Sequence, residues 1–215
     1  MFEKYINTID IQTIAVSLIV LVVSFLRIIP HIQNFSPIIA LAIFGALHYK
    51  SKSLSYIIQI LSLWVSDLLL NNFIYSTYSN NFNFFYEGFY WQYISYLVII
   101  FLSLNFNKRK INILNVFFLA LCSSLLFFII TNFGFWLTSG IYSNNLYGLI
   151  ECYIAGIPFY KGTLLGVLFY TPVLIGLYYM LQKKIALLRA RHLIYWKIFY
   201  WISTNNNVIY PEINY

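Results

Sequence analysis

A chain of 215 residues that is 61% hydrophobic and only 9% charged is not built as a soluble globular domain. Its formal charge of +7 would suggest a nucleic-acid partner in a soluble protein, but the cations sit in clusters between apolar runs, where membrane topology uses them, so no nucleic acid is expected. Two cysteines, Cys122 and Cys152, form no CxxC and offer neither a disulfide framework nor a zinc site.

The expected class is all-α: a polytopic membrane bundle of about six transmembrane helices, with membrane lipids as its surroundings. The first span is read over 11–29. It ends at Arg27 and Pro30 without a small-x-small cleavage site, so it is expected to stay as an anchor. A polar island follows, Arg27 to Pro37, with His31, Asn34 and Ser36. The island reads either as a solvated turn with Arg27 snorkelling to the lipid headgroups, which suffices for any single residue, or as part of a ligand pocket. The second span, 37–49, is short for a bilayer and opens with Pro37, which suits a first helical turn.

Lys50 and Lys52 lead into a third span, 54–73, which carries Trp64 and Asp67. A polar aromatic loop from Asn71 to Gly88 holds one acid, Glu87, and a fourth span covers 89–106. After Lys108-Arg109-Lys110, a fifth span, 111–137, is longer than a bilayer requires and ends in Thr131-Asn-Phe-Gly-Phe-Trp136. A second long loop is expected over 138–162, with Tyr142, Glu151, Tyr153, Pro158 and Lys161. The sixth span is 163–182, interrupted by Pro172, which a membrane bundle tolerates. Residues 183–215 mix basic and aromatic residues and read as an interfacial cytoplasmic tail beyond a bundle of 1–182.

Six spans put eleven of the thirteen Lys and Arg residues on one side, leaving Arg27 and Lys161 opposite, so both termini are expected in the cytoplasm. If 37–49 only dips into the membrane, five spans sort the basic loops almost as well and the island faces inward. Under six spans the outer half collects Arg27, His31, Asn34, Trp64, Asp67, Asn132, Trp136, Tyr142, Glu151 and Tyr153 as candidate substrate-binding residues. An ionisable Asp67 within a span needs a partner, and Arg27 is the nearest cation on that side. The pair reads either as a knot tying the first span to the third or as the polar floor of a pocket walled by Trp64 and Trp136.

Catalysis is not expected: HExxH, GxSxG and P-loop patterns are absent, and nothing fixes Ser36, His31 and Asp67 as a triad. A metal on His31 with Asp67 or Glu151 has thin support, and no metal or cofactor is expected.

As an ordered set, Arg-Ile-Ile-Pro-His-x-x-Asn-Phe-Ser-Pro-Ile (27–38), Ser66-Asp67, Phe127-Phe-Ile-Ile-Thr-Asn-Phe-Gly-Phe-Trp136, Tyr142 and Gly148-Leu-x-x-Cys-Tyr-x-x-x-Ile-Pro-Phe159 resemble a bacterial family of proposed membrane transport proteins. That family is similar to the S components, the substrate-binding subunits of energy-coupling-factor vitamin transporters. The resemblance covers roughly 12–182. It implies six helices, an outward pocket for a small-molecule ligand, a gating loop at 27–37, a lid contribution from 138–162, and an energy-coupling module as partner. The first span departs from the S-component pattern in lacking small residues four apart at Ala15, Ser17 and Ser24. Two other readings stand beside this one: a structural or assembly protein with a stabilising polar cluster, and a membrane enzyme acting on a lipid-linked substrate.

Overall fold

A computed structural model of the chain describes residues 11–28, 33–74, 82–106 and 112–205, with side chains on the last helix described as far as Lys184. Among the described residues six α-helices follow in order: α1 Ile11–Ser24, α2 Ile38–His48, α3 Lys52–Leu69, α4 Phe89–Asn105, α5 Ile113–Thr138 and α6 Leu146–Asn205. There is no strand among the described residues. A 3-10 turn, Phe25–Ile28, extends α1, and a π-helical turn, Leu70–Ile74, extends α3.

Three helical stretches, Lys52–Ile74, Ile113–Thr138 and Leu146–Lys184, are long and apolar enough to cross a membrane, and Gln12–Ile28, Ile38–His48 and Phe89–Asn105 are shorter apolar helices. The large apolar side chains exposed on them, such as Leu18 and Val22 on α1 or Phe118 and Leu125 on α5, are far more than a soluble surface carries. The chain forms two compact units, Met1–Ile175 and Gly176–Tyr215.

The centre of the first unit is its shortest helix. Every residue from Ile38 to Leu47 is buried, and α2 packs against α1, α3, α4 and α5. A helix that is apolar all round is a helix with no solvent face, and its sequence, IIALAIFGALH, has no polar residue before His48. Gly45 lets α3 come close: a Cβ there would meet the side chain of Gln59 at 2.6 Å. Gln59 is itself fully buried and donates to the Ser55 hydroxyl at 2.8 Å. On the other flank Gly134 of α5 leaves room for the Trp91 indole of α4, which a Cβ would overlap.

Residues 138–162 do not form the long loop expected of them. The connection is only 139–145, and α6 starts at Leu146 with Asn145 as its cap: the Asn145 Oδ1 accepts from the Gly148 N–H at 2.9 Å. Glu151, Tyr153 and Lys161 therefore lie on a helix. Pro158, read as a loop marker, is inside α6, as is Pro172. A proline removes one backbone donor and crowds the preceding turn, but neighbouring helices hold such a break within a bundle. The basic run Lys108-Arg109-Lys110 lies outside the described residues, as does His31.

Candidate ligand cavity

Because successive helices reverse direction, the end of α1, the start of α2, the end of α3, the start of α4 and the end of α5 meet at one end of the bundle. There they line an open cavity of about 980 Å³. Its floor is the first turn of α2, Ile38 and Ile39, so the space lies where the short central helix stops. Arg27, Gln33, Asn34 and Ser36 come from the α1–α2 connection, Leu70 and Ile74 from the π-turn, Tyr86 to Gly88, Trp91 and Gln92 from the approach to α4, and Thr131, Phe135 and Thr138 from α5.

Arg27 and Asp67 are paired as expected. The Arg27 Nη1 lies 2.7 Å from Asp67 Oδ1 and donates to the Ser66 hydroxyl at 2.6 Å, with both charged side chains nearly out of solvent, 10% and 5% exposed. The second carboxylate oxygen, Oδ2, accepts from the Tyr93 hydroxyl at 2.9 Å. Asp67 thus joins the ends of α1 and α3 to α4, and Arg27 lines the cavity while Asp67 stands behind it.

Three donors at the cavity wall have no hydrogen-bond partner among the described residues although they are buried: the Tyr86 hydroxyl, the Trp91 indole N–H and the Gln92 amide. Buried polar groups are nearly always paired, so these three, shielded as they stand, would gain partners if their side chains turned toward a ligand in the cavity; five other side-chain atoms among the described residues are likewise buried without a partner. Burial and the neighbouring Asp67 charge raise the Tyr86 pKa against the opposing pull of Arg27, which keeps this phenol neutral and a donor.

Two walls of the cavity are fastened by backbone contacts. Asn72, in the π-turn, donates to the Asn83 carbonyl at 2.8 Å and accepts from the Asn83 N–H at 2.8 Å, clamping residues 82–88 to the end of α3. A π-turn inside an α-helix is often found at functional sites, because the extra residue re-aims the side chains around it. Opposite, the segment 33–36 lies on α6 at two glycines one turn apart. A Cβ on Gly162 would overlap the Gln33 carbonyl, and one on Gly166 would come within 2.9 Å of the Ser36 nitrogen. Asn34, at φ 60°, is the one described non-glycine residue with a left-handed backbone, and it makes the turn that brings Phe35 against Phe169 and Tyr170.

The candidate residues divide. Arg27 and Asn34 line the large cavity. Asn34, Asn132 and Tyr142 line a smaller one of about 320 Å³ between α5 and α6. Trp64 has its indole N–H buried without a partner among the described residues but lines neither cavity. Trp136 donates to the Ser143 carbonyl at 3.0 Å and Tyr153 to the Ile129 carbonyl at 2.9 Å, so both fasten helix ends outside the cavities. Glu151 is exposed on α6. Nothing in the sequence singles out Tyr86, Trp91 and Tyr93, because the aromatic residues of this chain are too many for any one to stand out, or Gln92, an uncharged residue beside them. Only the unpaired acid at Asp67 could have pointed to Tyr93.

Fold and cavity together define an all-helical protein with helices of membrane-crossing length and a ligand-sized cavity at one end of the bundle. The chain belongs to DUF6580, a family of unknown function, whose match spans residues 7–191. No curated protein and no solved structure matches it.

Proposed function

We propose that this is a substrate-binding subunit of the bacterial cytoplasmic membrane, multi-pass with both termini inside, which captures a small organic nutrient from the outer side in the manner of the S components it resembles. The observation that carries the reading is the cavity of about 980 Å³, three of whose lining residues, Tyr86, Trp91 and Gln92, hold buried donors without a partner among the described residues. A volume of that size suits a whole small molecule, and a few convergent polar groups among aromatic walls are the general form of such a site. Arg27 adds a positive edge, held in place by Asp67. The resemblance further implies an energy-coupling module that would move the captured molecule inward.

Mass spectrometry of the purified protein tests this. A defined small molecule should co-purify with the wild type, and Gln92→Leu together with Tyr86→Phe should lower its occupancy about tenfold, as loss of one to two hydrogen bonds predicts. Deleting the gene should impair uptake of that molecule. No bound compound and no uptake defect would sink the proposal.

One observation favours a second reading. Both Asp67 oxygens already have protein partners, which suits a knot that only stabilises the bundle. In that case the Tyr86 and Gln92 variants would leave no ligand phenotype.

A further inference from the structure

The smaller cavity adjoins the larger one, and five residues, Asn34, Phe127, Thr131, Phe135 and Thr163, line both. Its own walls are of a different kind. Phe127, Phe128, Phe135, Phe159 and Tyr160 surround it, with the Phe128 and Tyr160 rings 4.9 Å apart and tilted by 46°. Five of the polar side chains between these rings already have partners. Thr131 Oγ1 donates to the Phe127 carbonyl at 2.7 Å, Thr163 Oγ1 to the Phe159 carbonyl at 3.3 Å, Asn132 Nδ2 to the Phe128 carbonyl at 2.8 Å, and Cys152 Sγ to the Asn132 carbonyl at 3.4 Å. The Tyr160 hydroxyl pairs with that of Ser124 at 3.3 Å. The lining of the large cavity includes donors without partners among the described residues, whereas that of the small one is mostly rings and hydrogen-bonded polar groups. Gly156 lets α6 pack closely on α5 beside this space, since a Cβ there would overlap the Asn132 side chain.

We propose that the small cavity is a side chamber of the same site, taking a planar aromatic substituent of the ligand whose polar part lies in the large cavity. The inference rests on the ligand-binding reading above and narrows it to molecules that carry a polar body and an aromatic appendage. A chamber of about 320 Å³ is at the lower limit for a complete ligand and roomy for one or two fused rings. Aromatic walls favour a ring by offset and edge contacts, and no donor or acceptor of the ring is needed to satisfy them.

Cys152 is buried on the chamber wall and Cys122 is exposed on α5, so Cys122→Ser leaves a single reporter thiol inside the chamber. Indole serves as the aromatic probe and methyl methanethiosulfonate as the thiol reagent, with the protein in lipid nanodiscs. Indole at ten times its dissociation constant should slow modification of Cys152 about tenfold and leave Cys122, followed in a Cys152→Ser protein, unchanged. Ala155→Trp, which fills the chamber, should abolish the protection, and Ala155→Leu provides a second, smaller filling variant should the first fold poorly. An unchanged Cys152 rate with indole, or equal slowing at Cys122, would overturn the proposal. So would full retention of the co-purifying molecule by both folded filling variants. A wild type that carries no molecule, but whose Cys152 is shielded by indole, would sink nutrient capture while upholding an aromatic chamber.

Discussion

Arg27 and Asp67 show how one buried charge organises three helix ends. Breaking such a pair by removing one partner leaves the other uncompensated and costs about 3–5 kcal/mol, whereas losing both charges together costs less. Asp67→Asn and Arg27→Gln should each lower the thermal midpoint of the detergent-purified protein, and the double variant should recover part of the loss. Strict additivity would mean that the two residues are not coupled. Tyr93→Phe removes a neutral donor to the same carboxylate, and its effect should be smaller, about 1.5–3 kcal/mol for a hydrogen bond to a charged group. The Arg27 pairing was legible in the sequence because an acid within an apolar run must find a cation and few were available. Tyr93 was not legible, since nothing in a run of aromatic residues says which phenol turns inward.

At the level of elements, the glycines of α6 carry a specific expectation. Gly162 seats the Gln33 carbonyl, and Gly176, further along the same helix, has nothing within 4 Å of where its Cβ would be. Gly162→Ala should therefore destabilise by about 1–3 kcal/mol through displacement of residues 33–36. Gly176→Ala should be neutral or slightly stabilising, by up to about 1 kcal/mol, because alanine is the better helix former. Thermal unfolding of the two single variants checks the contrast, and equal effects would show that 33–36 does not depend on the glycine seat. The helices themselves were mostly legible: apolar runs between basic or polar breaks placed α1 to α5 within a few residues of their observed limits. The start of α6 was not, because Pro158 and the polar residues around it look like a loop in sequence. What holds that stretch as helix is its packing on α5, through Cys152, Tyr153 and Tyr160, which no local pattern records. The cavity was half legible for the same reason. Charged residues announce their need for partners, while Trp91 and Gln92 come to the cavity lining only through tertiary packing.

For the molecule as a whole, the distribution of charge is the test of orientation. Arg27 and the 139–145 turn lie toward the cavity end, while Lys50 and Lys52 lie at the junction of α2 and α3, the other end of the bundle. If the basic side is cytoplasmic, a cysteine placed at Asn144 in a Cys122→Ser background should react in intact cells with a membrane-impermeant maleimide. One at Ser53 should react only after lysis. The reverse pattern would turn the cavity toward the cytoplasm and exclude capture from outside.

The enclosed position of α2 also bears on how the protein is made. Eleven helical residues span about 16 Å, against a hydrocarbon core of about 30 Å, so this segment is too short to partition into lipid by itself. During synthesis it has no stable place until α3 and α4 have emerged to surround it. In a membrane-inserted chain, the first hairpin would then stay in a protein-lined environment until the helices that surround α2 have emerged. In chains arrested with α2 newly emerged, that segment should still crosslink to the insertion machinery, and it should lose those crosslinks once residue 105 has cleared the ribosome.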